Sequence, residues 1–393
     1  MKIYHQLGHN HKWALDAHFL NNVGEGFIFS AYSFKYEKFG TTISSYKPQK
    51  YIKKSMIDLQ FYGSKGTVGG QLATYPFHPI NLNSHDSTLI EGTELIDKAV
   101  NFQEKIGLNN IIIPIIYHDL ENFQKLIDYI KLVNKKIIKR KKKSSHLNVK
   151  YLMTIPLSNN LITNDNYIEE LLLTITDMSI AFDGYYIVCD QKPEYKKKIS
   201  IDYAYYYNMV RVFNTLNKQG FITCHGYANW DSLIFTALAN IDYVTIGTYE
   251  NLRNFNIKRF TEDAGGGPSK GWYFSEKLLN FVRAQELTKL RRSGCLNLIA
   301  NEKNIFSDII LDPAYDWNTH KPDVHKNYLV SISKLLKDTR KDKGSTKGAP
   351  KLLKKINDAR SLYATLAVDH NVHLLDESSD YHLGTWASII QSN

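Results

Sequence analysis

The chain has 393 residues, enough to bury a large core and longer than one average domain. Hydrophobic residues make up 43% and charged residues 22%, ordinary globular usage that excludes wholesale disorder, and no apolar run approaches the length of a membrane span. The net charge of +10 favours an anionic partner, either nucleic acid or a phosphorylated ligand.

Cys189, Cys224 and Cys295 are too far apart for a CxxC-type zinc site or a disulfide framework. The N-terminus, MKIYHQLGHNHKW, lacks the apolar core of a signal peptide. These features predict a cytoplasmic protein with no membrane segment, metal or cofactor.

Eight short apolar, β-branched or aromatic runs occupy the first 250 residues: Lys2–Leu7, Phe27–Ser30, Ser55–Tyr62, Ile111–Tyr117, Tyr151–Leu157, Tyr185–Cys189, Phe221–His225 and Tyr243–Gly247. Most are continuous rather than alternating, as expected of strands covered on both faces. Helical patterns separate the later ones, over Glu91–Ile106, Leu120–Asn134, Tyr167–Ala181, Asp202–Lys218 and Trp230–Ala239. An amphipathic stretch over Ser275–Arg292 supplies the expected eighth helix. Strand–helix alternation repeated eight times predicts an α/β fold, a (β/α)8 TIM barrel spanning residues 1–292.

Residues 293–393 read as a C-terminal, mainly helical appendage, with helices near Val324–Lys341 and Ala349–Asp369 joined by the polar linker Asp342–Lys347. Gly63–Leu89 is a long loop of the kind that often forms a lid or binding surface. The run Lys135–Lys143 is expected at a turn on the bottom face. Lys139, Arg140, Lys141, Lys142 and Lys143 there form either a solvated turn or a patch that tracks nucleic acid.

Side chains just past the C-terminal ends of barrel strands converge on one pocket. That rule gathers His9, Ser30, Asp58, Gln60, Tyr117, Asp190, His225, Asn229, Tyr249 and Glu250 into a polar ring suited to pairing with a heterocyclic base. Asp58 stands out, because MIDLQFYG is otherwise an apolar strand. A buried carboxylate there costs several kcal/mol unless it is bonded to backbone N–H groups, paired with a cation, or used. Period-two alternation puts Gln60 on the same face. His225 is read as an acid/base group or an ordinary loop histidine. Glu250, just past the eighth strand, either starts a helix beside Arg253 or faces Asp58 across the pocket. Gly265–Gly266–Gly267, with Pro268, is either a phosphate-binding or a flexible loop.

Three segments resemble the tRNA-guanine transglycosylase superfamily, including relatives that insert 7-deazaguanines into DNA. MIDLQFYG (56–63) is similar to the family's DSGGF-type strand, FDGYYIVCD (182–190) to its DGYAIGGL segment, and HGYANWDSLIFTALANIDYVTIGT (225–248) to its strand–Gly–helix–GVDxFD layout. The resemblance implies a barrel that displaces a purine or 7-deazapurine base, on tRNA or DNA, with Asp58 contacting the base and assisting proton transfer. It also admits a place among antiviral, defence-associated relatives. The chain departs from the pattern at Thr245, where the family's nucleophilic Asp stands, at Val188 and Cys189 in place of paired glycines, and in lacking the Cys-rich zinc site. Asp190 or Glu250 is then the remaining candidate nucleophile. Two other functions fit the same residues: an inactive barrel that binds nucleic acid or protein, and a glycoside hydrolase pairing Asp58 with Glu250.

Overall fold

The computed structural model describes residues 1–39, 49–63, 70–81, 89–143, 148–262, 272–317, 321–341 and 347–393. Eight strands, β1 (Lys2–Leu7), β2 (Gly26–Ser30), β3 (Ser55–Asp58), β4 (Asn110–Ile113), β5 (Lys150–Ser158), β6 (Gly184–Asp190), β7 (Ile222–His225) and β8 (Tyr243–Gly247), form one parallel sheet in the order β3-β2-β1-β8-β7-β6-β5-β4. The sheet curls until its β3 and β4 edges lie side by side. Beyond the strand ends, the Tyr117 N–H donates to the Tyr62 carbonyl at 3.1 Å and ties those edges together. The result is a nearly closed (β/α)8 barrel. Its strands are buried on both faces, which is why they read as continuous apolar runs.

The surrounding layer contains α1 (Lys12–Asn21), α2 (Leu89–Ile106), α3 (Phe123–Lys143), α4 (Asp165–Ile175), α5 (Tyr203–Lys218) and α6 (Ser232–Leu238). Between β2 and β3 the described residues include the single helical turn Gln49–Ile52.

The basic run is helical rather than a turn. Ile130, Val133 and Ile137 continue the buried stripe of α3 at helical spacing, so the chain does not break at Asn134. Arg140 to Lys143 then fall in the last turn, where positive charge complements the helix dipole. Arg140 bonds Glu104 and Asn101, each at 2.7 Å, and reaches Asp97 at 3.4 Å. Lys136 pairs with Asp97 and Lys141 with Asp183. Lys139, Lys142 and Lys143 are left to carry most of the unneutralised charge of that face.

The eighth helix differs from expectation. Trp272–Ser275 (β9) and Asn280–Arg283 (β10) form an antiparallel hairpin, and only Ala284–Arg292 (α7) is helical. Period-two patterning explains the hairpin: Phe274 and Phe281 enter the barrel's core, while Tyr273 and Val282, on the other face, enter a smaller one. After α8 (Ile305–Leu311), helix α9 (Pro322–Thr339) takes the eighth position, packed against α1, α6 and β8. Its Leu329, Ile332 and Leu336 share the barrel's apolar core, which therefore continues beyond residue 292. Helices α10 (Gly348–Val368) and α11 (Leu383–Gln391) complete the C-terminal layer. The stretch 265–267 and positions 342–346 of the expected linker lie outside the described residues, as do 64–69 and 82–88 of the long loop.

Candidate active site

Asp58 ends β3 with its carboxylate inside the barrel and only 2% of the residue exposed. The Tyr227 hydroxyl donates to Oδ2 at 2.9 Å, and the Tyr62 hydroxyl lies 3.1 and 3.2 Å from the two oxygens. Across the barrel, Tyr186 of β6 reaches Oδ2 at 3.3 Å, while the Gln60 N–H donates to Oδ1 at 3.0 Å. No cation figures among the groups acting on Asp58. Burial pushes its carboxyl up to about 6, and the hydrogen bonds from Tyr227, Gln60, Tyr62 and Tyr186 hold it from rising further. The proton can therefore come and go near neutrality. The same burial, together with the Asp58 charge, drives Tyr62, Tyr186 and Tyr227 well above the ordinary tyrosine range, so all three remain donors.

The backbone holds this cluster in unusual conformations. Gln60 has φ +55° and Tyr227 has φ +51°. Each left-handed non-glycine residue costs roughly 1–2 kcal/mol and persists only where surrounding contacts fix it. Here they are fixed to each other. The Gln60 amide nitrogen donates to the Tyr227 hydroxyl at 2.5 Å, and its amide oxygen accepts from the Ser30 hydroxyl and the Tyr32 N–H, both at 2.8 Å. Asp58 and Gln60 do meet, but through this turn, because β3 has already ended. Gly226 precedes Tyr227, and a Cβ there would stand 2.4 Å from the Tyr186 ring, so glycine makes room for that tyrosine.

A second carboxyl, Asp190, ends β6 and is buried. Burial raises it to about 6, opposed by the Lys192 charge and by the Ile257 N–H. Phe255 and Phe260, in the segment after β8, lie against Tyr62 at 4.7 and 5.2 Å between ring centres, and Phe255 also meets Tyr227 at 5.5 Å. Tyr117, half-buried after β4, stands 6.4 Å from Phe255 and feels the Asp190 charge. The segment from Leu252 to Phe260 thus touches the surroundings of both carboxyls. Ser30, Asp58, Gln60, Tyr117 and Asp190 belong to this one region.

The other expected residues stand apart. His225 faces the helices, its ring 5.4 Å from both Phe213 of α5 and Phe235 of α6. Its neighbour Cys224 faces the interior and feels Asp58, so strand alternation sends His225 outward. Burial lowers His225 to about 3 and keeps it neutral, which removes it as an acid/base group of the pocket. His9 is exposed at the rim. The Tyr249 hydroxyl accepts from Asn10 at 2.6 Å, and its ring packs against Trp13 and His325. Asn229 is buried and accepts the Trp230 N–H at 3.1 Å. Glu250 pairs with Lys198 at 3.0 Å; partial burial works to raise its carboxyl, and Lys198 and Arg253 draw it down on balance. Among the described residues no side chain bonds to both Glu250 and Asp58.

Thr245 lies in the interior, and its hydroxyl accepts the Ala228 N–H at 3.0 Å. Sequence reasoning passed over Tyr62, Tyr186 and Tyr227. The signal for Tyr186 was its strand parity with Asp190, and for Tyr227 the adjoining glycine. Among the described residues no three His, Cys, Asp or Glu side chains gather as a metal would need, and no helix is long and apolar enough to cross a membrane. The chain matches no family model and no curated protein sequence.

Proposed function

We propose that this barrel is transglycosylase-like: it takes a purine or 7-deazapurine base, free or within tRNA or DNA, with Asp58 as the residue that contacts the base and moves a proton. The observation that carries the reading is the Asp58 carboxyl itself, buried at a strand end with no cation acting on it among the described residues, raised to about 6, and ringed by three tyrosine hydroxyls, with Gln60 and Tyr227 held on left-handed backbone. A protonatable carboxyl can donate to a ring nitrogen in one state and accept from an N–H in the other. Tyr62, Tyr186, Tyr227 and Gln60 add hydrogen-bonding groups, and Phe255 and Tyr117 offer rings on which a base stacks. A base reaching Asp58 must displace the rings of Phe255 and Phe260, which lie against Tyr62. Asp190 is the carboxylate proposed for attack on the sugar, since the Thr245 hydroxyl is engaged with the Ala228 N–H.

The test is incorporation of labelled guanine or 7-deazaguanine into tRNA and DNA, with equilibrium dialysis of the free bases alongside. Asp58→Asn is expected to lower exchange by about two orders of magnitude or more, the usual scale of general acid–base catalysis. Wild-type behaviour of that variant in both assays overturns the proposal.

The placement of Thr245 favours one second reading, a barrel that binds a base or nucleic acid without exchanging it. Wild-type protein that binds the base, loses binding in Asp58→Asn and never exchanges would establish it.

A further inference from the structure

A small polar cavity lies among residues that follow the later strands. Its walls are Lys198 from the segment after β6, Asn229 and Trp230 after β7, Glu250 and Arg253 after β8, and Trp272 and Phe281 from the β9–β10 hairpin. Two cations are sunk into it. The Lys198 side chain is 13% exposed and lies 4.4 Å from the Trp272 ring. The Arg253 guanidinium is sandwiched between Tyr328 at 4.3 Å and Phe281 at 4.8 Å. Burial lowers the pKa of both, a sign that their charges are short of compensation.

Among the described residues Glu250 is the one carboxylate lining the cavity, and its side chain is 51% exposed. It hydrogen-bonds Lys198 and acts on Arg253 through charge alone. Arg283, which also faces Lys198, is neutralised by Asp376 and Glu377. Two buried donors have no acceptor among the described residues: Arg253 Nε and the indole N–H of Trp230, a residue 1% exposed. Leaving such donors unsatisfied is costly, so the arrangement asks for an oxygen-bearing ligand. The space left is about 10 Å³, the room of one water, while the Glu250 carboxylate stays turned onto Lys198.

We propose that this cavity is a phosphate site, in which the half-exposed Glu250 carboxylate is an internal stand-in that the phosphoryl group of a ligand displaces. Lys198 and Arg253 carry two positive charges, and Glu250 balances one of them. A phosphate monoester carries nearly two negative charges at neutral pH and balances both once Glu250 swings out. Its oxygens also accept from the Arg253 and Trp230 donors that Glu250 leaves unpaired. Glu250 is the exposed partner of the pair, so its carboxylate regains water on swinging out while the phosphate keeps Lys198 compensated. The loops after the seventh and eighth strands are where barrels commonly hold phosphate. The proposal stands independently of the Asp58 site.

The test titrates inorganic phosphate into the full chain, with calorimetry for affinity and the indole N–H resonances of nitrogen-15-labelled tryptophan as the local reporter. Trp230→Phe assigns the resonance. Wild-type protein is expected to bind at millimolar phosphate or below and to shift the Trp230 signal. Glu250→Gln removes the competitor and is expected to bind several-fold tighter. Lys198→Gln is expected to bind at least tenfold more weakly. Lys198 is chosen over Arg253 because it is the less enclosed of the two and its loss is less apt to disturb folding. Absence of binding in both wild type and Glu250→Gln overturns the proposal. So does binding that Lys198→Gln leaves unchanged, or that leaves the Trp230 resonance unmoved.

Discussion

Asp58→Asn should change how the stability of this protein depends on pH. In the folded chain burial raises the Asp58 carboxyl from its ordinary 3.8 to about 6, whereas the unfolded chain keeps the ordinary value. Between those two values the native state holds more protons than the unfolded one, so stability falls as pH rises. Below about pH 4 both states are protonated and the group contributes nothing. Above about pH 6 the full penalty applies, ~3 kcal/mol at ~1.4 kcal/mol per pH unit. The Asn variant carries no such penalty. Its stability relative to wild type should therefore improve by ~3 kcal/mol on going from about pH 4 to about pH 7, whatever constant cost the amide imposes on the tyrosine hydroxyls. His5, His78, His118, His225 and His382 are all depressed by burial and lose stability in the opposite direction, as pH falls below the ordinary histidine range. Both proteins share those histidines, so they cancel in the difference. Urea unfolding of the two proteins across this range is the assay. A pH-independent difference would refute the claim that the fold holds Asp58 poised between its two states, and with it the physical basis for a proton-moving role.

Gly226→Ala should cost about 1–3 kcal/mol of stability, the scale of an overpacked core, because the new methyl meets the Tyr186 ring at 2.4 Å. It should also weaken base binding by pulling the Tyr186 hydroxyl from Asp58, and a variant that binds and unfolds like wild type would show that this contact constrains nothing. On the basic helix, Arg140→Met is expected to cost about 1–3 kcal/mol, since it leaves the partly buried Glu104 and Asp97 without their guanidinium. Lys142→Met, at an exposed position, is expected within about 0.5 kcal/mol of wild type, and equal losses in the two by urea unfolding would contradict the assignment of Arg140 to a structural network.

The barrel was legible in the sequence because its signal is local and repeated. A strand buried on both faces must be apolar throughout, and each of the eight announced itself over a handful of residues. Asp58 was legible for the complementary reason, as a charge where the pattern demands none. The five-pair register of Lys2 to Gln6 against Tyr243 to Gly247 that joins β8 to β1, and so closes the ring on that side, left no local trace. The same holds for α9 as the eighth helix: its apolar stripe was visible, but the hairpin and helices between β8 and α9 hid which stripe would cover the last strand.

The working end divides in the same way. Sequence fixed the residue types at strand ends, yet His225 and Asp190 looked equivalent until parity within the folded strands turned one to the helices and kept the other in the barrel. Tyr186 and Tyr227 lie 128 and 169 positions from the carboxylate they serve, and only closure of the barrel brings their hydroxyls to it. The carboxyl's position along the chain was thus set by sequence. Its burial, its raised proton affinity and its ring of donors belong to the tertiary structure, because those properties depend on what stands across the barrel.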